Sequence, residues 1–441
     1  MPRTAQDVIK EMDDSNVRYV RLLFTDILGR LKGMSITRSE IEAVLEDGQG
    51  FDGSSIEGFV RIEESDLMAW PDLKSFRILP WEIAGEKVAC VFADIKTPDD
   101  KPFEGDSRYV LRRTMERASK LGYTVYFGPE VEFFFFANDH STEVLDHDGY
   151  FDYDTVDKGA VVRKKCVVAL ENLGVPVECA HHEVAPSQHE IDLKYQEALV
   201  MADFVQLYRL TIKEIALQND LYATFMPKPM FGLNGSGMHC HQSLFKDGRN
   251  AFFDKNEPYN LSSTARHYIA GLLEHSRSFT LITNQWVNSY KRMVPGFEAP
   301  AYISWGRRNR SSLVRVPMYR VGKENATRIE LRSPDPAANP YLAFAAMAAA
   351  GLDGMAKKTK LVDPIEDNIF KMDEKARKRH KIKELPSSLE EAIEVLEKSS
   401  LMKEVLGEHV FSSLIANKKI EWQRYKIHVS QFELDEYLPV L

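Results

Sequence analysis

The stretch GPEVEFFFF, residues 128–136, indicates how the larger part of this chain folds. Its run of phenylalanines is typical of a strand that enters a hydrophobic core. Because side chains alternate between the two faces of a strand, Glu130 and Glu132 point the same way just before that core. Two carboxylates there repel each other and lose hydration unless a cation neutralises them. Taken alone, a solvated strand end explains the pair more simply, so other segments must decide.

A second polar segment, HHEVAPSQHEID at residues 181–192, contains more carboxylates. Pro186 argues against one continuous helix, which favours a loop between two short extended pieces. Such a loop would let Glu183 and Glu190 converge. A polar surface loop fits this segment equally well.

The third segment, GLNGSGMHCHQS at residues 232–243, combines glycines with histidines. Glycines permit close approach of the backbone to a ligand, and the period of two places His239, His241 and Ser243 on one face of a strand. A lone histidine is more often a core residue than a ligand, but two at this spacing after a glycine-rich turn favour function. No phosphate-binding GxxxxGK[ST] loop occurs.

Arginines dominate the remaining candidate segments. RIELR, residues 328–332, puts Arg328, Glu330 and Arg332 on one strand face, as an ion-pair ladder or as a metal ligand flanked by anion clamps. Residues 288–315 hold a basic set around the loop-forming sequence PGFEAP, and in an acidic chain this density indicates an anionic substrate. The set is Arg292, Arg307, Arg308, Arg310 and Arg315.

Composition limits the classes of function that need consideration. The 441 residues carry a net charge of −9 without a dense basic block, which argues against nucleic-acid binding. No apolar run reaches membrane-spanning length, and the N-terminus lacks the apolar core of a signal peptide. The cysteines Cys90, Cys166, Cys179 and Cys240 form no CxxC pair, which indicates reduced thiols in a cytoplasmic protein and argues against a cysteine-based zinc site.

Turn-forming residues at 97–105 (TPDDKPFEG) predict a domain boundary. Before it, residues 17–24 and 87–94 are predicted strands; after it, residues 107–121 and 198–219 are predicted helices. We therefore expect a small α+β domain over residues 1–104 and a large α+β domain over residues 105–441. Carboxylates, histidines and arginines without a phosphate-binding loop indicate a divalent-metal enzyme that handles a nucleotide and a carboxylate.

The same segments resemble glutamine synthetase of the type I, bacterial and archaeal kind, over nearly the whole chain. The shared motifs are FDGSS (51–55), GPEVEF (128–133), MPKP (226–229), NGSGMH (234–239), VPGFEAP (294–300), NRS (309–311) and RSPDPAANP (332–340). The resemblance implies a β-grasp-like N-terminal domain and a catalytic domain with a curved antiparallel sheet and surrounding helices. It also implies a homo-oligomer of two stacked hexameric rings, with active sites between subunits.

The reaction implied is the ATP-dependent ligation of ammonia to L-glutamate through a γ-glutamyl phosphate, which yields glutamine, ADP and phosphate and serves nitrogen assimilation. Two Mg²⁺ or Mn²⁺ ions per site are implied. The resemblance assigns one ion to Glu132, Glu183 and Glu190. It assigns the other ion to Glu130, His239 and Glu330.

The resemblance also assigns substrate contacts. It assigns the binding of glutamate to Asn234, Gly235, His239, Arg292, Arg332 and the flap residue Glu298. It assigns the binding of ATP to Glu178, Tyr195, His241, Ser243, Arg315 and Arg328. It assigns the stabilisation of the transferring phosphoryl group to Arg310. It assigns the binding of ammonium to Asp52, Ser55 and Glu298, with Asp52 supplied by the neighbouring subunit.

A glutamate–amine ligase and a non-catalytic relative are the rival functions, but the intact Asp52, Ser55 and Glu298 favour ammonia. Phe370 stands where one branch of the family has an adenylylated tyrosine, which implies the alpha subtype, controlled by direct feedback or partner proteins. Arg61 is then the candidate regulatory residue for glutamine feedback. A surface ion pair with Glu63 or Glu64 is the alternative role for Arg61.

Overall fold

Two β-sheets organise the chain in this computed structural model, which describes residues 3–56, 58, 66–153, 158–295, 299–320 and 322–441. The helices are α1 (Ala5–Asp14), α2 (Ile41–Asp47), α3 (Ser107–Lys120), α4 (Lys158–Asn172), α5 (Ala198–Leu217), α6 (Ser263–Thr283), α7 (Ser289–Arg292), α8 (Pro340–Lys357), α9 (Glu374–Arg379), α10 (Leu389–Glu397), α11 (Ser400–Lys426) and α12 (Gln431–Tyr437). The predicted helices at 107–121 and 198–219 are confirmed as α3 and α5.

The strands fall into an N-terminal group and a larger second group. The first six are β1 (Val17–Thr25), β2 (Leu31–Thr37), β3 (Gln49–Asp52), β4 (Asp66–Pro71), β5 (Arg77–Ile83) and β6 (Glu86–Lys96). The others are β7 (Thr124–Phe136), β8 (Val177–His182), β9 (Gln188–Leu193), β10 (Gln196–Glu197), β11 (Tyr222–Thr224), β12 (Met238–Lys246), β13 (Arg249–Asn250), β14 (Tyr302–Ile303), β15 (Trp305–Gly306), β16 (Val314–Arg315), β17 (Ile329–Leu331) and β18 (Lys383–Glu384).

The N-terminal sheet is mixed. Its order is β2–β1–β6–β4–β3, and β5 also pairs with β6. β1 and β6 run parallel, and the other neighbours are antiparallel. The predicted strands at 17–24 and 87–94 are confirmed as β1 and β6. Helix α1, which begins with a capping box between Thr4 and Asp7, packs Val8 and Met12 into the core of this sheet.

The larger sheet has the order β15–β16–β17–β12–β7–β9–β8, and short strands add to β7 and β12. β14 and β18 pair with each other outside both sheets. All pairings of the larger sheet are antiparallel except that of β15 with β16, which is parallel. The expected α+β fold with an antiparallel catalytic sheet is therefore confirmed, with one parallel pair at an edge.

Strand β7 is buried on both faces where the phenylalanines occur. Phe133 and Phe135 belong to the main core, while Phe134 and Phe136 belong to a smaller cluster on the opposite face. Since side chains two residues apart share a face, Glu130 and Glu132 lie on the side of that smaller cluster. The helices α5, α6 and α8 contribute to the main core on the other side.

The two sheets are joined by a continuous core and a buried ion cluster. Leu23 and Phe92 of the first sheet lie in the same core as Phe127 of β7. The guanidinium of Arg108 in α3 lies 2.7 Å from Asp72 and 2.9 Å from Asp203 of α5. Because Arg108 is itself buried, these partners tie the N-terminal sheet to the helices of the larger unit.

All four cysteines are free thiols, and three of them, Cys90, Cys166 and Cys240, are buried. Cys179 is exposed. Within the described ranges, no helix is both long and apolar enough to cross a membrane.

Candidate active site

The strand register gathers the candidate ligands on one face of the larger sheet. His239 of β12 lies opposite Glu130 of β7, and Glu132 of β7 lies opposite Glu190 of β9. On the other side of β12, His241 lies opposite Glu330 of β17. Directly opposed residues of antiparallel strands project to the same face, so these side chains converge although their segments are far apart in sequence.

Glu130, His239 and Glu330 form one compact group. Their ligand atoms lie within 4.8 Å of one another. The Nδ1 atom of His239 is 3.2 Å from Glu130 Oε2 and 3.8 Å from Glu330 Oε1. Burial and the charge of Arg332 lower the pKa of His239 to about 4, so its ring is neutral at pH 7. A neutral imidazole between two carboxylates is a suitable ligand set for a divalent cation.

Glu183 and Glu190 form a second group, and the third member is His181. The ring of His181 lies 3.7 Å from Glu190 Oε1 and 3.9 Å from Glu183 Oε1. The loop between β8 and β9, predicted from Pro186, brings these carboxylates together. Glu132 is adjacent: its Oε2 accepts hydrogen bonds from Gln188 Nε2 at 3.0 Å and from the Gly237 N–H at 2.9 Å.

The carboxylates of this site are buried close to one another, and burial and mutual repulsion change their pKa values. Burial and the neighbouring Glu183 raise the pKa of Glu132 to about 8. Burial and Asp192 raise the pKa of Glu190 well above its ordinary value. Burial alone would also raise the pKa of Glu130, but His241 and His239 hold it below the ordinary range. A buried set of acids that cannot all ionise together fits the binding of divalent cations.

The glycine-rich turn before β12 makes room for an arginine. A Cβ atom on Gly237 would lie 2.5 Å from Arg292 Nη2. The same guanidinium donates to the backbone carbonyls of Ser333 at 2.8 Å and Arg332 at 3.2 Å. Glycine at this position therefore allows the buried cation of α7 to reach the site.

These groups open into a first cavity of about 200 Å³. Three further arginines line it, and two of them, Arg315 and Arg332, pair with the fully buried Glu330. The guanidinium of Arg310 lies 5.9 Å from the ring centroid of Tyr150. The candidates that line this cavity are Glu130, Glu132, Glu183, Glu190, Asn234, Gly235, His239, Arg292, Arg310, Arg315 and Arg332.

A second cavity of about 250 Å³ lies next to the first. It is lined by five of the six residues assigned to ATP, namely Glu178, Tyr195, His241, Ser243 and Arg328. The sixth, Arg315, lines the first cavity instead. Glu130, Cys179 and Asp192 line both cavities and so form the wall between them.

Other candidates lie elsewhere. Asp52 and Ser55 are exposed, and neither is among the described residues that line the two cavities of its own chain. The Asp52 carboxylate accepts a hydrogen bond from the Ser54 N–H at 2.8 Å. Glu298 and Arg61 lie outside the described residues.

Sequence reasoning missed several side chains that line the first cavity. His181 and Asp192 lie inside the segment singled out at 181–192, and the period of two from Glu190 could have indicated Asp192. Gln188 belongs to the same segment. Tyr150 comes from the loop after β7, where the sequence has no periodic pattern to indicate it.

This fold and this site define a class of enzymes that bind divalent cations, a nucleotide and an anionic substrate on one face of a curved antiparallel sheet. Residues 104–437 match the model of the glutamine synthetase catalytic domain, and residues 16–98 match that of the glutamine synthetase beta-Grasp domain.

Full-length relatives agree with these family matches. The chain is 50% identical over 447 residues to a glutamine synthetase of Thermus thermophilus, with 99% of each chain covered. It is 49% identical over 442 residues to one of Methanosarcina mazei, covering 99% of this chain and 98% of the relative. A cryo-EM structure of Plasmodium falciparum glutamine synthetase superimposes with a TM-score of 0.89 at 26% identity, over 99% of both chains.

The chain therefore belongs to the glutamine synthetase family, of the bacterial and archaeal type. It is a ligase that uses ATP to join ammonia to L-glutamate and form glutamine. Enzymes of this family require ATP and divalent metal ions.

Proposed function

We propose that the first cavity binds glutamate, that the second binds ATP, and that the phosphoryl group passes between them beside Glu130. The observation that carries this proposal is the position of Glu130, which lines both cavities. The γ-carboxylate of glutamate would attack the terminal phosphorus of ATP, the bond to the ADP oxygen would break, and γ-glutamyl phosphate would form. Ammonia would then attack the acyl carbon, and phosphate would leave.

Two Mg²⁺ or Mn²⁺ ions per site are part of the proposal. Glu130, His239 and Glu330 would hold one ion, and Glu132, Glu183 and Glu190 the other, with His181 beside the second group. The raised pKa values of Glu132 and Glu190 support this assignment, because these acids need a neutralising cation to ionise together. When bound, such ions neutralise phosphate oxygens and orient the reacting groups.

The arginines would position the anionic groups. Arg292 and Arg332, together with Asn234, Gly235 and His239, would hold glutamate in the first cavity. Arg310 would stabilise the negative charge on the phosphoryl group in flight, since a guanidinium matches phosphate geometry. Arg315 lines the first cavity, so we place it at the end of the nucleotide where the phosphates meet glutamate.

Ammonium would bind where carboxylates attract it and remove its proton, at Asp52, Ser55 and the flap residue Glu298. Asp52 is exposed on its own chain, which supports its use by a neighbouring subunit. We infer from the family resemblance a homo-oligomer of two stacked hexameric rings, in which each site receives Asp52 from the neighbouring subunit. Closure of the flap would keep water from the acyl phosphate.

We also propose how the enzyme is regulated, where it is located and where its two domains meet. Phe370 supports the alpha subtype, in which direct feedback or partner proteins replace adenylylation, and Arg61 would connect bound glutamine to the flap. The free thiols support a cytoplasmic location. The ranges of the two family matches support a division into residues 1–104 and 105–441.

A substrate panel tests the proposal. ADP release should require glutamate and ammonium together, and glutamine should be the product. The same assay with methylamine, ethanolamine and putrescine supplies the comparison. Faster turnover with any of these amines than with ammonium would contradict the assignment of the ammonium pocket.

A further inference from the structure

A thiol, an imidazole and a carboxylate meet on the wall between the two cavities. Cys179 and His181 are two residues apart on β8 and share a face, and Asp192 of β9 lies directly opposite Cys179. The Cys179 Sγ atom lies 2.8 Å from Asp192 Oδ2. Ligand atoms of all three residues lie within 4.8 Å of one another.

This group differs in chemistry from the two carboxylate groups beside it. The scattered cysteines argue against a zinc site built from cysteines, but here a single thiol joins a nitrogen and an oxygen donor. Such a mixed set suits Zn²⁺ and other thiophilic cations, whereas Mg²⁺ prefers oxygen ligands alone. The Oδ1 atom of Asp192 is buried and receives no hydrogen bond in the described protein, and its carboxyl group lies beside that of Glu190, so a cation would relieve the repulsion between the two acids. Cys179 is the exposed thiol of the four cysteines, so a cation in solution can reach it.

We propose that Cys179, His181 and Asp192 bind one thiophilic divalent cation, Zn²⁺ in the first place, and that this ion inhibits the enzyme. Binding forms a sulfur–metal bond and releases the thiol proton to solvent. Cys179 and Asp192 line both cavities, so the ion would lie between nucleotide and glutamate. The inhibition by this ion rests on the proposed function, whereas the binding of the ion does not.

Competition for His181 strengthens the expected inhibition. The same ring lies 3.7 Å from Glu190 and 3.9 Å from Glu183. A cation held through His181 would place a further positive charge beside the carboxylates proposed for catalysis. Mutual repulsion between cations at this distance would weaken the binding of the catalytic ion.

Cd²⁺ serves as the spectroscopic probe, because its bond to a thiolate absorbs in the near ultraviolet. Titration of the intact enzyme in saturating Mg²⁺, which occupies the two proposed catalytic sites, should give this absorption with one Cd²⁺ per subunit. Cys179→Ala should abolish the absorption. Asp192→Asn should weaken the affinity by at least about 10-fold, the loss typical of a group that only orients a ligand. Cys166→Ala, whose thiol is buried in α4, should leave the absorption unchanged. If the alanine variant fails to fold, Cys179→Ser takes its place.

Inhibition by Zn²⁺ is then measured relative to the uninhibited rate of each variant. The half-inhibiting concentration should rise at least about 10-fold in Cys179→Ala, because the loss of a ligand costs no less than the loss of a group that only orients one. Absorption that persists in this variant would overturn the site, and unchanged inhibition would overturn the inhibitory role. An enzyme that binds Cd²⁺ through Cys179 but turns over another amine faster than ammonium would contradict the proposed ammonium pocket and leave the cation site unaffected.

Discussion

Glu330 is a buried carboxylate that pairs with two arginines. It is fully buried, and its two carboxylate oxygens face Arg315 and Arg332. The expected ladder of Arg328, Glu330 and Arg332 is therefore only partly present, because Arg328 donates to His241 Nδ1 at 3.3 Å instead. Arg315, and not Arg328, forms the second ion pair with Glu330, because β16 pairs with β17 and places Arg315 opposite Glu330.

Glu330→Gln should lower kcat/KM by roughly 100-fold or more, because it removes one proposed metal ligand and the counter-charge of two arginines. The amide keeps the side-chain volume, so the circular dichroism spectrum and the oligomeric state should not change. Glu324→Gln, at an exposed position of a nearby 3₁₀ turn, is the control. Substantial activity of Glu330→Gln at saturating Mg²⁺ would contradict the metal assignment.

At the scale of elements, one aspartate holds the turn that carries two proposed ligands. Asp146 accepts hydrogen bonds from His182 Nε2 at 3.0 Å and from the Ser187 N–H at 2.9 Å. These bonds fix the end of β8 and the start of β9, and thereby the spacing of Glu183 and Glu190. Side chains that orient metal ligands in this way commonly contribute 10–100-fold to metal affinity.

Asp146→Asn should therefore raise the Mg²⁺ concentration for half-maximal activity by about 10-fold, with a smaller change in kcat at saturating metal. Direct Mn²⁺ binding, followed by electron paramagnetic resonance, gives a readout that does not depend on turnover. Asp139 lies in the loop after β7, as Asp146 does, but is exposed, so Asp139→Asn should leave both values unchanged. Equal metal affinities of Asp146→Asn and wild type would exclude the positioning role.

Helix α3 begins at a buried acid that makes stability depend on pH. Asp106 is its N-cap and accepts from the Arg108 N–H at 2.9 Å. Burial and the nearby Asp94 raise the pKa of Asp106 from 3.8 to about 7. The native state then binds this proton more tightly than the unfolded state, so the free energy of unfolding falls as pH rises from about 4 to about 7.

Asp106→Asn removes this titration and keeps a good N-cap residue. Relative to the variant, the wild type should lose about 1.4 kcal/mol of unfolding free energy per pH unit in that window. Urea unfolding of both proteins at several pH values measures the difference. The lost hydrogen bond from the Ile95 N–H adds only a constant offset, so parallel pH profiles would refute the raised pKa.

At the scale of the whole molecule, the proposed ring makes each site depend on two chains. Mixed oligomers of Asp52→Ala and Glu330→Gln test this dependence, because each variant alone should be inactive. If Asp52 serves the neighbour, random mixing in equal amounts should restore about a quarter of the wild-type sites. No recovery in mixed oligomers would place Asp52 in the site of its own chain, and an active Asp52→Ala variant would place Asp52 outside any site.

The local pattern of the sequence determined much of the active-site face. Alternation along β7 placed Glu130 and Glu132 together, the period of two aligned His239, His241 and Ser243, and Pro186 separated β8 from β9. These features depend on neighbours within a few residues, so periodicity and backbone preference suffice to predict them.

Only the tertiary structure decided which of these segments meet. The strand order β17–β12–β7–β9–β8 and its register joined Glu330 to His241 and Cys179 to Asp192, and they separated Arg315 from the other residues assigned to ATP. Pairing partners lie as far apart in sequence as Thr124 and Phe245. No local preference encodes which strand pairs with which, because register follows from burial of the whole core. The chemistry of this protein is therefore readable in its segments, whereas the arrangement of its site follows from the sheet.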